Sequence, residues 1–271
     1  MLNKLTMKHY LMLLLCGFTV KAIAGGIYET KDSCVTLTND SMIHLPLPVP
    51  ISPQIELNRM AAGFVKNYIK KNSDGLSRIK ERSQQYFKTI DAIFTQYQIP
   101  LELKYLAVVE SKLNTKATSQ VGARGTWQLM PSTAQTLGLK IKGKVDERTH
   151  NYKSTVAAAK YLKSLYDDLG DWLLVIAAYN SGPGTIYKAI KKAGSRDFWR
   201  LQAFLPAETR NHVKRFISIH YYFEGEGSET TLTKAEWVSY QKKLDAYNTA
   251  LTENTAAAAA TAEEVIAKKL N

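Results

Sequence analysis

One glutamate of this sequence lies inside an apolar stretch. Residues 101–131 read LELKYLAVVESKLNTKATSQVGARGTWQLMP, and the spacing of their leucines and valines predicts a helix that begins near Pro100 and contains Glu110. Burial among apolar side chains would remove water from this carboxyl group, raise its pKa and let it hold a proton near neutral pH. The alternative is a structural glutamate whose charge is paired with Arg124 or a lysine. The segment therefore offers one candidate acid–base group.

A glycine-rich loop follows the candidate glutamate. Residues 122–125, GARG, precede Trp127, Gln128 and Met130. This mixture of flat apolar surface and amide hydrogen-bonding groups suits the binding of sugars, although Trp127 could equally be a packing residue. We expect the loop and the glutamate to form one site.

Two apolar stripes precede this segment and predict helices that support it. They run through residues 55–69 and 79–94 at helical spacing, with the polar cluster NSDG at 72–75 between them. Neither stripe offers chemistry of its own. The sequence predicts two helices within residues 54–98, separated by a turn.

Further helices are predicted after the loop. The polar stretch 137–150 reads as a surface loop, and it is followed by a helix that ends at Gly170. The next helix is apolar almost all round, as expected at the centre of a bundle, and brings Tyr179 and Asn180 to its C-terminal end. A later helix starts near Pro206 and carries Glu208.

Three sequence blocks resemble the signature blocks of the soluble lytic transglycosylase (SLT) catalytic domain. They are ESKLNTKATSQVGARGTWQLMPSTA at 110–134, AAYNSGPG at 177–184 and LPAETRNHV at 205–213. The resemblance runs from about residue 85 to 223 and is closest to the membrane-bound lytic murein transglycosylase D type. It implies an all-α, lysozyme-like fold that acts on the glycan strands of bacterial peptidoglycan.

The resemblance also implies a reaction with one carboxyl group. Glu110 would protonate the glycosidic oxygen between N-acetylmuramic acid and N-acetylglucosamine, then act as the base on the muramyl 6-hydroxyl, which closes on C1. The product is a 1,6-anhydro sugar. By contrast, common glycosidases use two carboxylates, and Asp and Glu are absent from residues 111–131.

Six further residues match positions that contact the substrate in this family. They are Ser119 and Gln128 as hydrogen-bonding groups, Met130 in the cleft lining, Tyr179 and Asn180 as orienting groups, and Glu208 in the cleft wall. A core tyrosine is the structural alternative for Tyr179. Thr126-Trp127 stands where many relatives have two aliphatic residues, which could alter the shape of a subsite. In the D-x-R element, 146–148, a structural ion pair is expected rather than catalysis.

Two other functions remain open from the sequence. A lysozyme-like muramidase would use the same fold and glutamate but deliver water to C1. A non-catalytic wall-binding protein would require a degenerate glutamate or AAYN block, and both are intact. The products released from purified peptidoglycan distinguish all three.

Composition limits the partners. The chain of 271 residues has a formal net charge of +12, which favours a polyanionic partner such as nucleic acid, anionic lipid or a carboxylate-bearing wall. We see no nucleic-acid-binding signature and no zinc or calcium ligand spacing, so neither nucleic acid nor a metal or other cofactor is predicted. A monomer acting on peptidoglycan is expected.

The N-terminus predicts export. Lys4 and Lys8 precede a short apolar run, and Ala22-Ile23-Ala24 supplies the small residues expected before a signal-peptidase cut. A lipid anchor at Cys16 is the less favoured alternative, because Leu15 is large where a small residue is usual. We therefore expect a periplasmic or envelope-associated protein.

The domain organisation follows from these patterns. The predicted parts are a signal peptide (1–24), a Pro-rich tether (25–53), N-terminal helices (54–98), the SLT catalytic domain (99–225) and a C-terminal helical or disordered tail (226–271). No wall-binding repeat is recognisable in the tail.

Overall fold

The computed structural model of this protein describes residues 50–270. The predicted signal peptide, Cys16 and nearly all of the predicted tether therefore lie outside the described residues. Within residues 50–270, no helix combines the length and the apolar character needed to cross a bilayer.

A single 39-residue helix, α1 (Arg59–Tyr97), stands where the sequence predicted two helices, so the predicted turn at 72–75 is wrong. Asn58 caps its start by accepting a hydrogen bond from the Met60 N–H. A glycine inside a helix costs about 1 kcal/mol. Leu76 and Ile79, the apolar residues that follow the cluster, are 3% and 5% exposed, and burying each side chain contributes about 1.5–3 kcal/mol. Packing therefore outweighs the local turn preference.

The remaining helices are all shorter, although the last, with 37 residues, is nearly as long as α1. They are α2 (Tyr105–Ser111), α3 (Pro131–Thr136), α4 (Asn151–Leu169), α5 (Trp172–Ser181), α6 (Pro183–Ala193), α7 (Phe198–Leu201), α8 (Ala207–Glu224) and α9 (Lys234–Leu270). Short 3₁₀ turns occupy Leu101–Lys104, Glu147–Thr149, Gln202–Phe204 and Glu229–Thr231.

A small antiparallel hairpin lies where the sequence predicted only a surface loop. Its strands are β1 (Ile141–Lys142) and β2 (Val145–Asp146), with Ile141 opposite Asp146. The connection has two residues, and Gly143 has φ +58°, the left-handed conformation that tight hairpin turns favour. The hairpin ends at Asp146, which places that carboxylate beside the glycine-rich loop.

The core forms around α5, as its apolar sequence predicts. Residues 172–178 are all buried, and α5 packs against α4, α6 and α8, while α1 packs along α8 and α4. Gly170 ends α4 in the left-handed conformation, and the Asp171 carboxylate caps α5 by accepting a hydrogen bond from the Leu174 N–H. The predicted all-α fold is confirmed, and α5 delivers its C-terminal residues to the site.

The first residues of the predicted C-terminal tail are packed against the rest of the chain. Residues 230–233 are buried, and the Asp171 carboxylate also accepts a hydrogen bond from the Lys234 N–H at 2.7 Å. Glu236 accepts hydrogen bonds from Trp199 Nε1 and Asn58 Nδ2. Of the two states predicted for the tail, the structure has the helical one, and the start of α9 is attached to the helical core through polar groups.

Candidate active site

Glu110 lies in the last turn of α2 with only 14% of its side chain exposed. Burial raises the pKa of its carboxyl group to about 8; the positive charge of Arg215 opposes this shift, and the negative charge of Glu208 adds to it. The cause is the one that the apolar sequence predicts, loss of water around the charged form. At neutral pH this group therefore holds its proton.

The alternative in which Arg124 neutralises Glu110 is wrong. The Arg124 guanidinium lies 3.2 Å from the Asp146 carboxylate. Among residues 50–270, no lysine or arginine nitrogen lies within 4 Å of the Glu110 carboxyl oxygens. The group that contacts Glu110 is instead a histidine, His212, whose Nε2 lies 3.4 Å from Oε1.

His212 is uncharged beside the protonated glutamate. Its side chain is 3% exposed, and burial, with help from the charge of Arg215, lowers its pKa to about 3. Within the described part of the chain its Nε2 has no hydrogen-bond partner. A neutral carboxyl group and a neutral imidazole therefore face each other at the centre of the site.

Neither His212 nor Arg215 was predicted from the sequence as a site residue. The signal was available, because Glu208, His212 and Arg215 are spaced by four and three residues and so share one face of α8. Arg215 forms an ion pair with Glu208, whose side chain is 65% exposed. This face of α8 supplies both the charges and the imidazole around Glu110.

The chain leaves α2 through a backbone that few residues adopt. Lys112 and Leu113, directly after the helix, both have positive φ (+54° and +63°), as does Gln128 (+46°). Left-handed conformations cost an ordinary L-residue about 1–2 kcal/mol. Gly125 (φ +83°) has no alternative, since a Cβ there would lie 1.9 Å from the Arg148 carbonyl oxygen. The loop after Glu110 is thus held in a conformation that the surrounding contacts impose.

Arg148 is the residue that holds this loop. Its guanidinium donates to the carbonyl oxygens of Gly122 (2.7 Å) and Leu129 (2.9 Å) and to the Asp146 carboxylate (2.7 and 2.9 Å). These hydrogen bonds lower the pKa of Asp146. The D-x-R element therefore forms a structural ion pair, as predicted from the sequence.

The predicted sugar-contacting residues of the loop also make contacts within it. The Ser119 hydroxyl accepts a hydrogen bond from the Ala123 N–H at 2.9 Å, and Gln128 Nε2 donates to the Gly125 carbonyl at 2.8 Å. Met130, 40% exposed, directly precedes α3. Their contacts with a sugar stay predictions, and each of the two polar side chains keeps the loop in shape.

The residues at the end of α5 connect the core to the site. The Tyr179 hydroxyl donates to the Trp127 carbonyl at 2.7 Å, and burial, followed by the nearby charge of Glu110, raises its pKa well above the usual value. Asn180 Oδ1 accepts from the Thr209 hydroxyl at 2.9 Å. Trp127 is fully buried and donates through Nε1 to Thr155. Trp127 is therefore a packing residue and not a sugar-binding surface. Tyr179 lies close to Glu110.

Comparisons with known proteins agree with this geometry. Residues 89–202 match the family described as "Transglycosylase SLT domain". Membrane-bound lytic murein transglycosylase D of Escherichia coli K12 is 38% identical over 156 residues, which cover 55% of this chain and 34% of that protein. Soluble lytic murein transglycosylase of the same strain is 30% identical over 145 residues, 49% of this chain and 22% of that one. The chain thus spans about a third or less of the length of these relatives.

A solved structure shows the same fold. The complex of the 70-kDa soluble lytic transglycosylase with bulgecin A superposes with a TM-score of 0.52 at 22% identity, over 65% of this chain and 32% of that one. The lysozyme-like helical arrangement predicted from the sequence is confirmed. Residues 89–202 are therefore similar in sequence to the transglycosylase SLT domain, and the described helices share the fold of a solved lytic transglycosylase.

Proposed function

We propose that this protein is a lytic transglycosylase that cleaves the bond between N-acetylmuramic acid and N-acetylglucosamine in peptidoglycan and leaves 1,6-anhydro ends. The observation that carries the proposal is the state of Glu110, a carboxyl group that burial keeps protonated and that no cation within 4 Å neutralises among the described residues. The names of the relatives, lytic murein transglycosylases, support it.

The reaction needs one group that gives and then takes a proton. Glu110 donates its proton to the glycosidic oxygen as the bond from C1 to that oxygen breaks. The resulting carboxylate then accepts the proton of the muramyl 6-hydroxyl, whose oxygen bonds to C1. Glu110 ends protonated, and no water is consumed. A pKa of about 8 suits both half-reactions, since a catalytic pKa near the working pH favours transfer in each direction.

The other site residues act by positioning. Tyr179 and Asn180 lie at the end of a rigid buried helix, so they would orient the acetamido group or the carboxyl of Glu110. Ser119, Gln128 and Met130 would contact the sugars from the loop that Arg148 holds. Such fixed geometry reduces the entropy that the reaction must lose.

The state of Glu208 favours this proposal over the muramidase alternative. A hydrolase needs a base or a carboxylate to activate water at C1. Glu208, the second carboxylate that raises the Glu110 pKa, is paired with Arg215 and mostly exposed. The arrangement favours a substrate hydroxyl over water as the nucleophile.

Location is part of the proposal. The charged start, the apolar run and Ala22-Ile23-Ala24 support export with cleavage after residue 24, which would bring the enzyme to the wall. N-terminal sequencing of protein from the cell envelope tests this. A mature chain that begins at a lipid-modified Cys16 would contradict cleavage after Ala24 and indicate a membrane anchor.

Mass spectrometry of products from purified peptidoglycan tests the reaction. We expect anhydro-muropeptides from the wild-type protein and their loss in Glu110→Gln. Reducing ends would indicate the muramidase, and intact glycan from a correctly folded protein would indicate a non-catalytic wall-binding protein.

A further inference from the structure

A basic groove lies next to the glutamate of α2. It has a volume of about 280 Å³ and lies between the middle of α1 and the end of α2. Three cations line it, Arg78 and Arg82 of α1 and Lys112 at the end of α2, and no carboxylate is among its lining residues. Its floor is formed by the buried side chains of Leu76, Ile79, Val108 and Ile219 and by the half-buried Val109.

The groove is adjacent to the candidate active site. Val109, which lines it, directly precedes Glu110, and Ile219 lies one helical turn beyond Arg215 on α8. The charge of Arg215 acts on both Glu110 and Tyr68, another residue of the groove. The groove and Glu110 therefore both lie close to the charge of Arg215.

The cations of the groove have no acidic partner in the protein. Within residues 50–270, Arg78, Arg82 and Lys112 form no ion pair, and all three are exposed. Arg82 donates to the Lys112 carbonyl oxygen at 2.7 Å. Arg78 has no hydrogen-bond partner among the described residues. Its charge is available to an anionic ligand.

We propose that this groove binds the peptide stem that peptidoglycan carries on its muramic acid, and so gives the enzyme a preference for peptide-bearing over peptide-free glycan. The inference rests on the proposed function. Peptide stems carry free carboxylates, which match the three exposed cations that line the groove. The α1 part of the groove precedes residues 89–202, so it lies outside the part of the chain that matches the SLT domain.

The test compares two substrates, purified glycan strands with their peptides and the same strands after enzymatic removal of the peptides. The quantity measured is the ratio of the rates at which anhydro ends form on the two substrates. Arg78→Glu should lower this ratio about five- to tenfold, because it replaces an exposed attraction with a repulsion. The matched control is Lys70→Glu, the same charge change at an exposed position of α1 that does not line the groove.

A binding measurement keeps the inference separate from the reaction. Glu110→Gln protein, with and without Arg78→Glu, is titrated with peptide-bearing and peptide-free strands. We expect the preference for peptide-bearing strands to disappear only in the protein with Arg78→Glu. If no variant and no wild-type protein forms anhydro ends, but Glu110→Gln protein still prefers peptide-bearing strands, the proposed function is contradicted and the groove proposal is not. Equal effects of Arg78→Glu on both substrates, or none, would overturn the groove proposal.

Discussion

Two carboxyl groups of this protein are almost equally shielded from solvent and are held in opposite states. The side chains of Glu110 and Asp146 are 14% and 12% exposed. Glu110 lies against the neutral His212 inside the helical core, and its pKa is raised; Asp146 lies at the end of a hairpin between two guanidinium groups, and its pKa is lowered. Accessible surface alone therefore does not decide the state of a carboxyl group. Its neighbours and its depth do, and they separate the group proposed for chemistry from the group that holds the loop.

The largest expected effect is at Glu110. Replacing it with Gln keeps the shape and removes the proton that can be given and taken, and general acid–base catalysis contributes about 10²–10⁴-fold. The rate of anhydro-product formation should fall at least a hundredfold. The melting temperature should stay at or above that of the wild type, because a neutral amide costs less to bury than a carboxyl group that can ionise.

The matched control for this variant is Glu253→Gln, on the exposed surface of α9. It should change neither rate nor melting temperature. If Glu110→Gln unfolds more easily and still forms anhydro ends at nearly the wild-type rate, Glu110 is a structural residue.

The second largest effect is expected at Arg148, which pairs with Asp146. Arg148→Ala removes the hydrogen bonds to Gly122, Leu129 and Asp146, and breaking a buried ion pair costs about 3–5 kcal/mol. The melting temperature should fall by about 6–20 °C. Thermal unfolding followed by circular dichroism measures this loss.

Lys163→Ala is the control for Arg148→Ala. It breaks an exposed pair with Asp167 one turn away on α4, a kind of contact worth only about 0.3–0.5 kcal/mol. Equal stability of the Arg148→Ala and Lys163→Ala proteins would show that the loop does not depend on the hydrogen bonds of Arg148.

The dependence of stability on pH should differ in sign between the two carboxyl groups. Because the pKa of Glu110 is raised, its favourable contribution to the free energy of unfolding is complete below the unfolded pKa near 4.5. This contribution is lost as the pH rises towards 8. The lowered pKa of Asp146 gives a contribution that is present above about 4 and lost in more acidic solution.

Melting curves between pH 3 and 9 measure this difference. The melting temperature of Glu110→Gln should rise relative to the wild type between about pH 5 and 8, because its advantage in free energy of unfolding grows by about 1.4 kcal/mol for each pH unit. Asp146→Asn should instead be most destabilised at neutral pH and approach the wild type in acid. Parallel curves for Glu110→Gln and the wild type would mean that the Glu110 pKa is not raised.

The smallest effect is expected at Asp171, a third buried carboxyl group. Burial raises its pKa to about 6, while hydrogen bonds from the backbone N–H groups of Lys234 and Leu174 oppose the shift. Asp171→Asn keeps one acceptor oxygen and should cost about 1 kcal/mol, the usual value of a helix cap. Urea unfolding would measure it. A loss several times larger would show that the charge itself attaches α9.

The sequence predicted much of this architecture because local rules decide it. The stop of α4 at Gly170 and the burial of α5 both follow from turn chemistry and periodicity. The same local reasoning failed at 72–75, where distant packing overrides a turn signal. The long helix α1 could not be predicted from residues within that cluster.

The candidate site was predicted in part. Glu110 became a candidate through its apolar neighbours in the chain, and its role came from the resemblance to the family. The ion pair of Asp146 was predicted from the resemblance of residues 146–148 to a D-x-R element. His212 could not be connected to Glu110, because about a hundred residues of chain separate them and only the packing of α8 against α2 brings them within 3.4 Å. The sequence left two roles open for Trp127, sugar contact and packing, and its position inside the core shows that it is a packing residue.

The continuity of α1 has a consequence for insertions and deletions in this chain. Each residue of a helix advances it by about 1.5 Å and turns it by about 100°. One residue added at Gly75 would therefore rotate the half that carries Tyr68 and Asn72 against the half that carries Phe87 and Phe94. Both halves are in contact with the same core, so neither could turn freely. Insertions and deletions within α1 should therefore be far more damaging than substitutions. The unbroken helix fixes the rotation of the residues that line the groove relative to the residues that pack in the core.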